Sequence, residues 1–478
     1  MKTTMTVRTR FAPAPTGMMH LGNIRAALIN FLFAKHANGS YILRIEDTDM
    51  NRMFDVAGKQ ICYDLAWLGI THDEGPNIGG PYAPYIQSQR TKIYQKYLEQ
   101  LIAQGAVYRC FCTPEELERK RKRQQELKKA PRYDRTCLNR DHALTTQLVE
   151  RNTPCIWRFA LPTNTVTIHD LVRGPITFDL SNFSDFPLTR QDESFTFLFA
   201  NAVDDIDMCI THVFRGEDHL SNSACQAALY HFFQAPLPIF WHMPIICNIE
   251  GKKLSKRDFG FSLDDLRNTG FVPEAITNYL GIIGGKALQQ EILSLTELAQ
   301  AIDFSTYHSS GTIKYDSDKL RWMNHAWIQR LTLDTIVARC RPFLERVYPA
   351  VVELSNQDLA RIIRPIQQEL RTLQDVVPLL HGYFHVPEGD DTRALASLHL
   401  SAYTQVLRDI TSKLSPLLTP LDIIELCKSS CKRHNVPVKE LYGIIRIALT
   451  GSKEGTSIAN LLEIIPYTEV VARLEKLL

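Results

Sequence analysis

APAPTGMMHLGN, Ala12 to Asn23, lies between two apolar runs. Before it, VRTRFAP reads as a strand that ends at Pro13, where the backbone loses a donor. After it, NIRAALINFLFAKHAN reads as an amphipathic helix, SYILRIEDT as a second strand and DVAGKQICYDLAWLGI as a further helix. This βαβα order predicts an α/β, doubly wound parallel sheet. In such a sheet ligands gather beyond the carboxyl ends of the strands, where a helix N-terminus favours phosphate. Gly17 and Gly22 would let the backbone approach a polyphosphate, and His20 is placed to hydrogen-bond a phosphate oxygen. Taken alone, a Pro/Gly turn carrying a surface histidine would read the same way.

The rest of the chain sets bounds on that reading. At 478 residues it exceeds one core, so about three to five compact units are expected. A composition of 45% hydrophobic and 22% charged residues excludes a disordered or collagen-like chain. The formal net charge of +2 gives no global field, so a nucleic-acid partner must be held by local basic patches. MKTTMTVRTRFAPAP lacks the apolar stretch of a secretory signal. No run approaches the roughly 18 apolar residues of a membrane span. Eleven cysteines, an odd and scattered count, fit a reducing cytoplasm better than a disulfide framework. A soluble, cytoplasmic, multidomain protein with no membrane partner is expected.

Residues 106 to about 200 break the βαβα rhythm with a cysteine pair, a charged helix and short β-like runs such as TPCIWRFAL. They read as an insertion. Sheet-like segments return in DMCITHVFRG and PIFWHMPIIC, and from about Leu263 the pattern is helical to the end. Leu333, Ile336, Val337, Cys340, Leu344 and Val347 share one helical face, and Leu359, Ile362, Ile363, Ile366, Leu370 and Leu373 repeat the pattern. No fixed period links these helices, so an irregular bundle is expected and not a solenoid.

A second chemistry-bearing stretch is GKKLSKRD, Gly251 to Asp258. Lysines and an arginine around a serine suit a loop that neutralises charge developing on a transferring phosphate, and equally a solvated basic loop. An HxG turn after the first strand, with a KLSKR loop roughly 230 residues later, is the signature pair of class I aminoacyl-tRNA synthetases. The resemblance narrows through TRFAPAPTGMMHLGN, RIEDTD, WLGITHDEGP, SQR, LVRGPITFD, THVFRGEDHL, KKLSKRD and YDSDKLRWMN. These are similar to glutamyl-tRNA synthetases of the bacterial type, in register from about residue 7 to residue 330. The likeness continues more weakly to LYGIIRIALTGS.

That resemblance implies a Rossmann-like catalytic domain in two parts, 1–105 and 201–250, around an inserted acceptor-binding α+β domain at 106–200. It further implies the KLSKR loop with a helical stem-contact domain at 251–330 and an all-α anticodon-binding region at 331–478. The activity implied is ATP-dependent joining of L-glutamate to tRNA, with Mg2+, by a monomer. The glutamate α-carboxylate attacks the α-phosphate of ATP, and the terminal ribose of the tRNA then attacks the adenylate. The acceptor is tRNA(Glu), tRNA(Gln) or both, and the tail side chains that read the anticodon are not assignable from the sequence.

By the same resemblance, His20, Lys253 and Lys256 are the catalytic, charge-stabilising residues. Pro13, Gly17, Gly22, Asn23, Gly216, Glu217, Asp218 and Ser255 join them in binding ATP. Arg10 and Arg215 would hold the glutamate carboxylates and Glu46 its ammonium, with Ala14 and Phe197 beside them. Cys110, Cys112 and Cys137 match the zinc ligands of part of the family. Asn139 stands where many relatives have a fourth ligand, which leaves His142 as the candidate and Tyr133 and Asp141 as substitutes. Three cytosolic thiols without metal is the alternative. RKRKR, Arg119 to Arg123, would meet acceptor-stem phosphates or form a solvated helix face.

Three positions depart from the family pattern. Ala14 replaces a serine, and Phe197 and Leu198 stand at the tyrosine and asparagine positions of the usual PTYNFA. Each removes a polar group, and three such losses would weaken glutamate binding by several kcal/mol, at about 1.5–3 kcal/mol for each bond to a charged group. Either the pocket tolerates these changes around Arg10, Glu46 and Arg215, or the chain is a specialised paralogue that charges poorly, acts on another acceptor or regulates through tRNA binding. A short base-modifying relative is excluded by the helical tail, which such relatives lack.

Overall fold

The computed structural model describes residues 6–48, 55, 58–255, 258–308, 311–388 and 400–478. β1 (Arg8–Phe11) stops just before the Ala12–Pro13 pair, and β2 (Ser40–Leu43) lies parallel to it with Arg10 opposite Ile42. Between them runs α1 (Leu21–His36), whose first turn is capped by His20: Nδ1 accepts from the Asn23 N–H at 3.4 Å. Ten of its sixteen residues are buried, so α1 is a central helix wrapped on most sides and not the amphipathic helix expected. At Gly39 a Cβ would fall 2.2 Å from the Val7 carbonyl oxygen, so only glycine fits where the chain turns from α1 into β2.

α2 (Lys59–Trp67) and α3 (Thr91–Ala103) follow, and then five short strands: β3 (Val107–Cys110), β4 (Ile156–Phe159), β5 (Thr165–Asp170), β6 (Gly174–Asp179) and β7 (Phe186–Pro187). β4 sits antiparallel between β3 and β7. β5 and β6 form a hairpin, and β5 also runs parallel to β9 (Ile239–Met243), which is parallel to β8 (His212–Gly216). The Thr211 N–H donates to the Arg8 carbonyl at 3.0 Å, which brings β1 beside the start of β8. The four-stranded sheet of β8 and β9 therefore borrows a hairpin from the stretch expected to be an insertion. Val107, Phe159 and Phe186 from that stretch share one hydrophobic core with Val203, Leu229 and Phe240.

The inserted stretch also carries α4 (Pro114–Glu126), begun by a Thr113–Glu116 capping box and a proline, and α5 (His142–Glu150). No residue of α4 is buried. α6 (Phe197–Asp207) and α7 (Leu220–Phe232) flank β8 in sequence. A strand the sequence did not signal, β11 (Ile313–Lys314), pairs parallel with β10 (Ile246–Cys247) inside the stretch expected to be wholly helical. Two residues are too few to show a period.

The chain divides into two compact units against the three to five expected, and the stretch expected to be an insertion shares its core and a sheet with β8 and β9. One unit is Met1–Asp264 with Ile276–Asp316, and the other is Asp265–Ala275 with Ser317–Leu478. The second unit is helical. Its Leu333–Glu345 helix buries Ile336, Val337, Cys340 and Leu344, whereas Val347 lies beyond its end and is exposed. Leu359, Ile362, Ile363, Ile366, Leu370 and Leu373 are all buried, although the α-helix gives way to a 3-10 turn where Pro365 removes a donor. Among the described residues no helix is long and apolar enough to cross a membrane.

Candidate active site

A cavity of about 700 Å³ in the first unit is lined by the turn after β1, the start of α1, the end of β8, the start of α6 and the segment around Lys253. The two motif stretches, distant in sequence, meet here. The Leu21 N–H donates to the Phe261 carbonyl at 3.1 Å, the Leu263 N–H donates to the Met19 carbonyl at 2.9 Å, and the His20 ring stacks on Phe261 at 5.2 Å. Lys253 is bridged to Cys247 and lines the same cavity. Burial, with the Lys253 charge nearby, holds the His20 imidazole below its ordinary value. A neutral His20 whose Nδ1 accepts from the backbone carries its proton on Nε2, so that edge is a donor.

Pro13, Gly22, Asn23, Gly216 and Asp218 line the cavity as expected for a nucleotide site. A Cβ on Gly22 would sit 3.1 Å from the His20 ring, so glycine lets that ring fold over the helix start. Gly17, Glu217 and Ser255 are not among the lining residues. Glu217 is instead tied to Arg173 at 2.8 Å, and the Ser255 N–H and hydroxyl both donate to Asp258. Lys256 lies outside the described residues. Arg25, which the sequence reading passed over, also lines the cavity. It is 2% exposed, its Nε has no hydrogen-bond partner among the described residues, and burial lowers its pKa to about 10.

Arg10, Glu46 and Arg215 converge on the same cavity with Ala14 and Phe197. Arg10 is paired with Asp205 at 3.2 Å. Glu46 accepts from Arg44 at 2.8 Å and from the Asn201 amide at 2.7 Å, and burial raises its carboxyl above the usual range against the pull of Arg44. Arg215 donates to Ser223 at 2.7 Å and to Gln226 at 2.8 Å. Burial, with the Arg10 charge nearby, lowers the Arg215 pKa to about 10, which leaves it charged at neutral pH. A cluster with two arginines and one carboxylate facing a cavity suits a ligand with anionic groups and an ammonium.

The three departures sit differently. Ala14 lines the cavity at an exposed position, and Phe197 lines it with its ring 5.4 Å from His219. Leu198 does not line it but packs against the hydrophobic core, so its loss of an amide removes nothing from the pocket wall. One turn after Phe197, Asn201 faces the cavity and supplies an amide there.

In the insertion, the sulfurs of Cys110, Cys112 and Cys137 lie within 4.8 Å of one another and are buried. His142 is not part of this group: it is exposed at the start of α5, and the Asp141 carboxylate is occupied in capping that helix. The Tyr133 hydroxyl is the oxygen beside the cluster, 3.4 Å from Cys110 Sγ and 3.6 Å from Cys112 Sγ.

The chain matches the family described as tRNA synthetases class I (E and Q), catalytic domain, over residues 6–322. The chain belongs to this family of glutamate and glutamine synthetases. Residues 335–478 match the anticodon binding domain. It is 37% identical to the glutamate–tRNA ligase of Sulfurihydrogenibium sp. over 98% of this chain and 99% of that one. It is 34% identical to the glutamate–tRNA ligase of Bacillus subtilis over 98% and 99%. The crystal structure of a glutamate tRNA ligase from Elizabethkingia meningosepticum in complex with its amino acid matches with a TM-score of 0.86 and 31% identity, covering 99% of each chain. A class I synthetase catalytic domain followed by an all-helical anticodon-binding domain is thus the architecture of this chain.

Proposed function

We propose that the chain is a glutamate–tRNA ligase acting in the cytoplasm, which activates L-glutamate with ATP and esterifies the 3′-terminal ribose of tRNA(Glu). The observation that carries this reading is one cavity shared by the His20 turn, the Lys253 segment and the Arg10–Glu46–Arg215 cluster. Arg10 and Arg215 bind the glutamate carboxylates, and Glu46, fixed by Arg44 and Asn201, binds the ammonium. An oxygen of the α-carboxylate attacks the α-phosphorus, and the bond from that phosphorus to the bridging oxygen breaks to release pyrophosphate. The His20 Nε2–H and the Lys253 ammonium, with Lys256 of the same KLSKR motif, neutralise charge developing on the phosphate oxygens. Magnesium accompanies ATP and screens its phosphates. The exposed α4, with Arg119 to Arg123, meets acceptor-stem phosphates.

The reading is tested with purified chain, ATP, Mg2+, radiolabelled glutamate and each purified tRNA in turn. Glutamyl ester on tRNA(Glu) is the expected result, and the tRNA(Gln) arm decides whether a second acceptor is used. Charging of tRNA(Gln) alone, or of no tRNA, overturns the assignment.

Cys110, Cys112 and Cys137 fit a zinc ion, because three buried thiols form a soft donor set of tetrahedral type that lacks one ligand. Tyr133, and not His142, is the fourth ligand of this proposed site. Metal analysis of chain purified without chelator is expected to find one zinc per chain, lost in Cys137→Ser, reduced in Tyr133→Phe and retained in His142→Ala. Zinc-free chain from zinc-replete cells contradicts the site, and loss of zinc in His142→Ala contradicts the choice of Tyr133.

A further inference from the structure

Behind Arg215 lies a buried polar chain that the activation chemistry does not use. Arg215 on β8 stands opposite His242 on β9 in the sheet register, so two side chains able to carry positive charge are cross-strand neighbours. Ser223, on α7, lies between them: its hydroxyl oxygen is 2.7 Å from Arg215 Nη2 and 2.7 Å from His242 Nε2. His242 Nδ1 is 2.9 Å from the Asp170 carboxylate on β5, which also accepts from the His242 N–H. Neither Ser223 nor His242 has exposed surface, and Asp170 is 3% exposed.

The polarity of the bonds follows from two facts, that arginine only donates and that His242 is neutral. Arg215 Nη2 must donate both to the Ser223 hydroxyl oxygen and to Gln226 Oε1. The Ser223 hydroxyl has two acceptors in reach, the His219 carbonyl at 3.3 Å and His242 Nε2 at 2.7 Å; a neutral His242 that keeps its proton on Nδ1 for Asp170 leaves Nε2 to accept the shorter bond. Burial, aided by the Arg215 charge, holds the His242 imidazole below its ordinary value against the opposing pull of Asp170. On the other side, Gln226 has its oxygen on Arg215, so its NH2 donates to Asn201 Oδ1 at 2.8 Å. The Asn201 NH2 is thereby left to donate to Glu46 at 2.7 Å. No amide or ring has a second orientation that satisfies all its neighbours.

We propose that Asp170, His242 and Ser223 are positioning residues that fix the Arg215 guanidinium for the substrate carboxylate, through a directed hydrogen-bond chain that continues by Gln226 and Asn201 to Glu46. The inference rests on Arg215 and Glu46 being the amino-acid ligands. The two ends of the amino-acid site are therefore set by one network, in which each member limits the rotamer of the next. A binding site whose arginine is held before the substrate arrives loses less freedom on binding.

The test is tRNA charging with the full chain, with KM measured separately for glutamate and for ATP. Ser223→Ala is expected to raise the glutamate KM about tenfold while leaving the ATP KM near wild type. His242→Phe moves the glutamate KM in the same direction and adds nothing further in a Ser223→Ala background, because His242 acts through Ser223. His242→Gln, which restores an acceptor for the serine hydroxyl, recovers most of the loss. Additive effects in the double variant, or parallel increases in both KM values, overturn the relay. Arg215→Ala separates the two layers: an unchanged glutamate KM there would sink the assignment of Arg215 itself.

Discussion

Arg44→Met is expected to destabilise the catalytic unit by about 3–5 kcal/mol, the usual cost of removing one partner from a buried ion pair. Arg44 has no exposed surface and touches three carboxylates: Glu46 at 2.8 Å, Asp205 at 2.7 Å and Asp204 at 3.5 Å. Asp205 keeps Arg10 and Asp204 keeps Arg90, at 3.2 and 2.7 Å. Glu46 has no second cation among its hydrogen-bond partners in the described residues, so the cost falls mainly there. The sign of the pH dependence follows from Glu46, whose folded carboxyl already lies above its usual range through burial. An acid raised in the folded state binds more protons folded than unfolded between the two pKa values, so its contribution to stability falls as pH rises through that window. Without Arg44 the window widens upward. The destabilisation should therefore be largest at mildly alkaline pH and shrink on acidification, as the orphaned carboxyl protonates. Urea unfolding of wild type and variant across that range measures it. A loss below about 1 kcal/mol, or one that grows on acidification, contradicts the account.

The same arginine shows what the sequence could and could not reveal. His20, Gly22 and Lys253 were legible because their chemistry is local: a helix start, a glycine and a basic loop each have a signature of a few residues. Arg44 and Asp205 lie 161 positions apart and Arg10 and Asp205 lie 195 apart, so nothing in either neighbourhood marks their pairing. Ser223, Gln226 and His242 look like ordinary polar residues until the sheet register and α7 bring them behind Arg215. Helical phase decided another case. The sequence reading weighed Leu198 as a pocket residue, yet Phe197 and Asn201 are the pair that shares the cavity face at i and i+4, and Leu198 turns to the core. Asn201 is therefore visible in principle once the segment is read as a helix. The buried character of α1 was hidden for a different reason: its apolar residues are spread around the helix, and sequence does not show that sheet and later helices cover several sides at once.

His20→Asn is expected to lower kcat for tRNA charging by about 10²–10³, with the glutamate KM changed little, as when one oxyanion donor is removed elsewhere. Asparagine is the informative replacement because His20 has two jobs. Its Nδ1 accepts from the Asn23 N–H and caps α1, and loss of a cap costs about 1 kcal/mol. The asparagine oxygen can accept at the same cap, so the helix start and the glutamate cluster stay in place. What asparagine lacks is the reach of Nε2–H toward the phosphate. His20→Ala removes both functions, so it should match the kcat defect and add a loss of thermal stability that His20→Asn does not show. The Lys253 charge remains in both variants, which keeps part of the charge neutralisation and prevents the activity from vanishing. If His20→Asn charges tRNA within about tenfold of the wild-type kcat, the histidine is a helix cap only, and the transition-state role falls to the lysines of the basic loop.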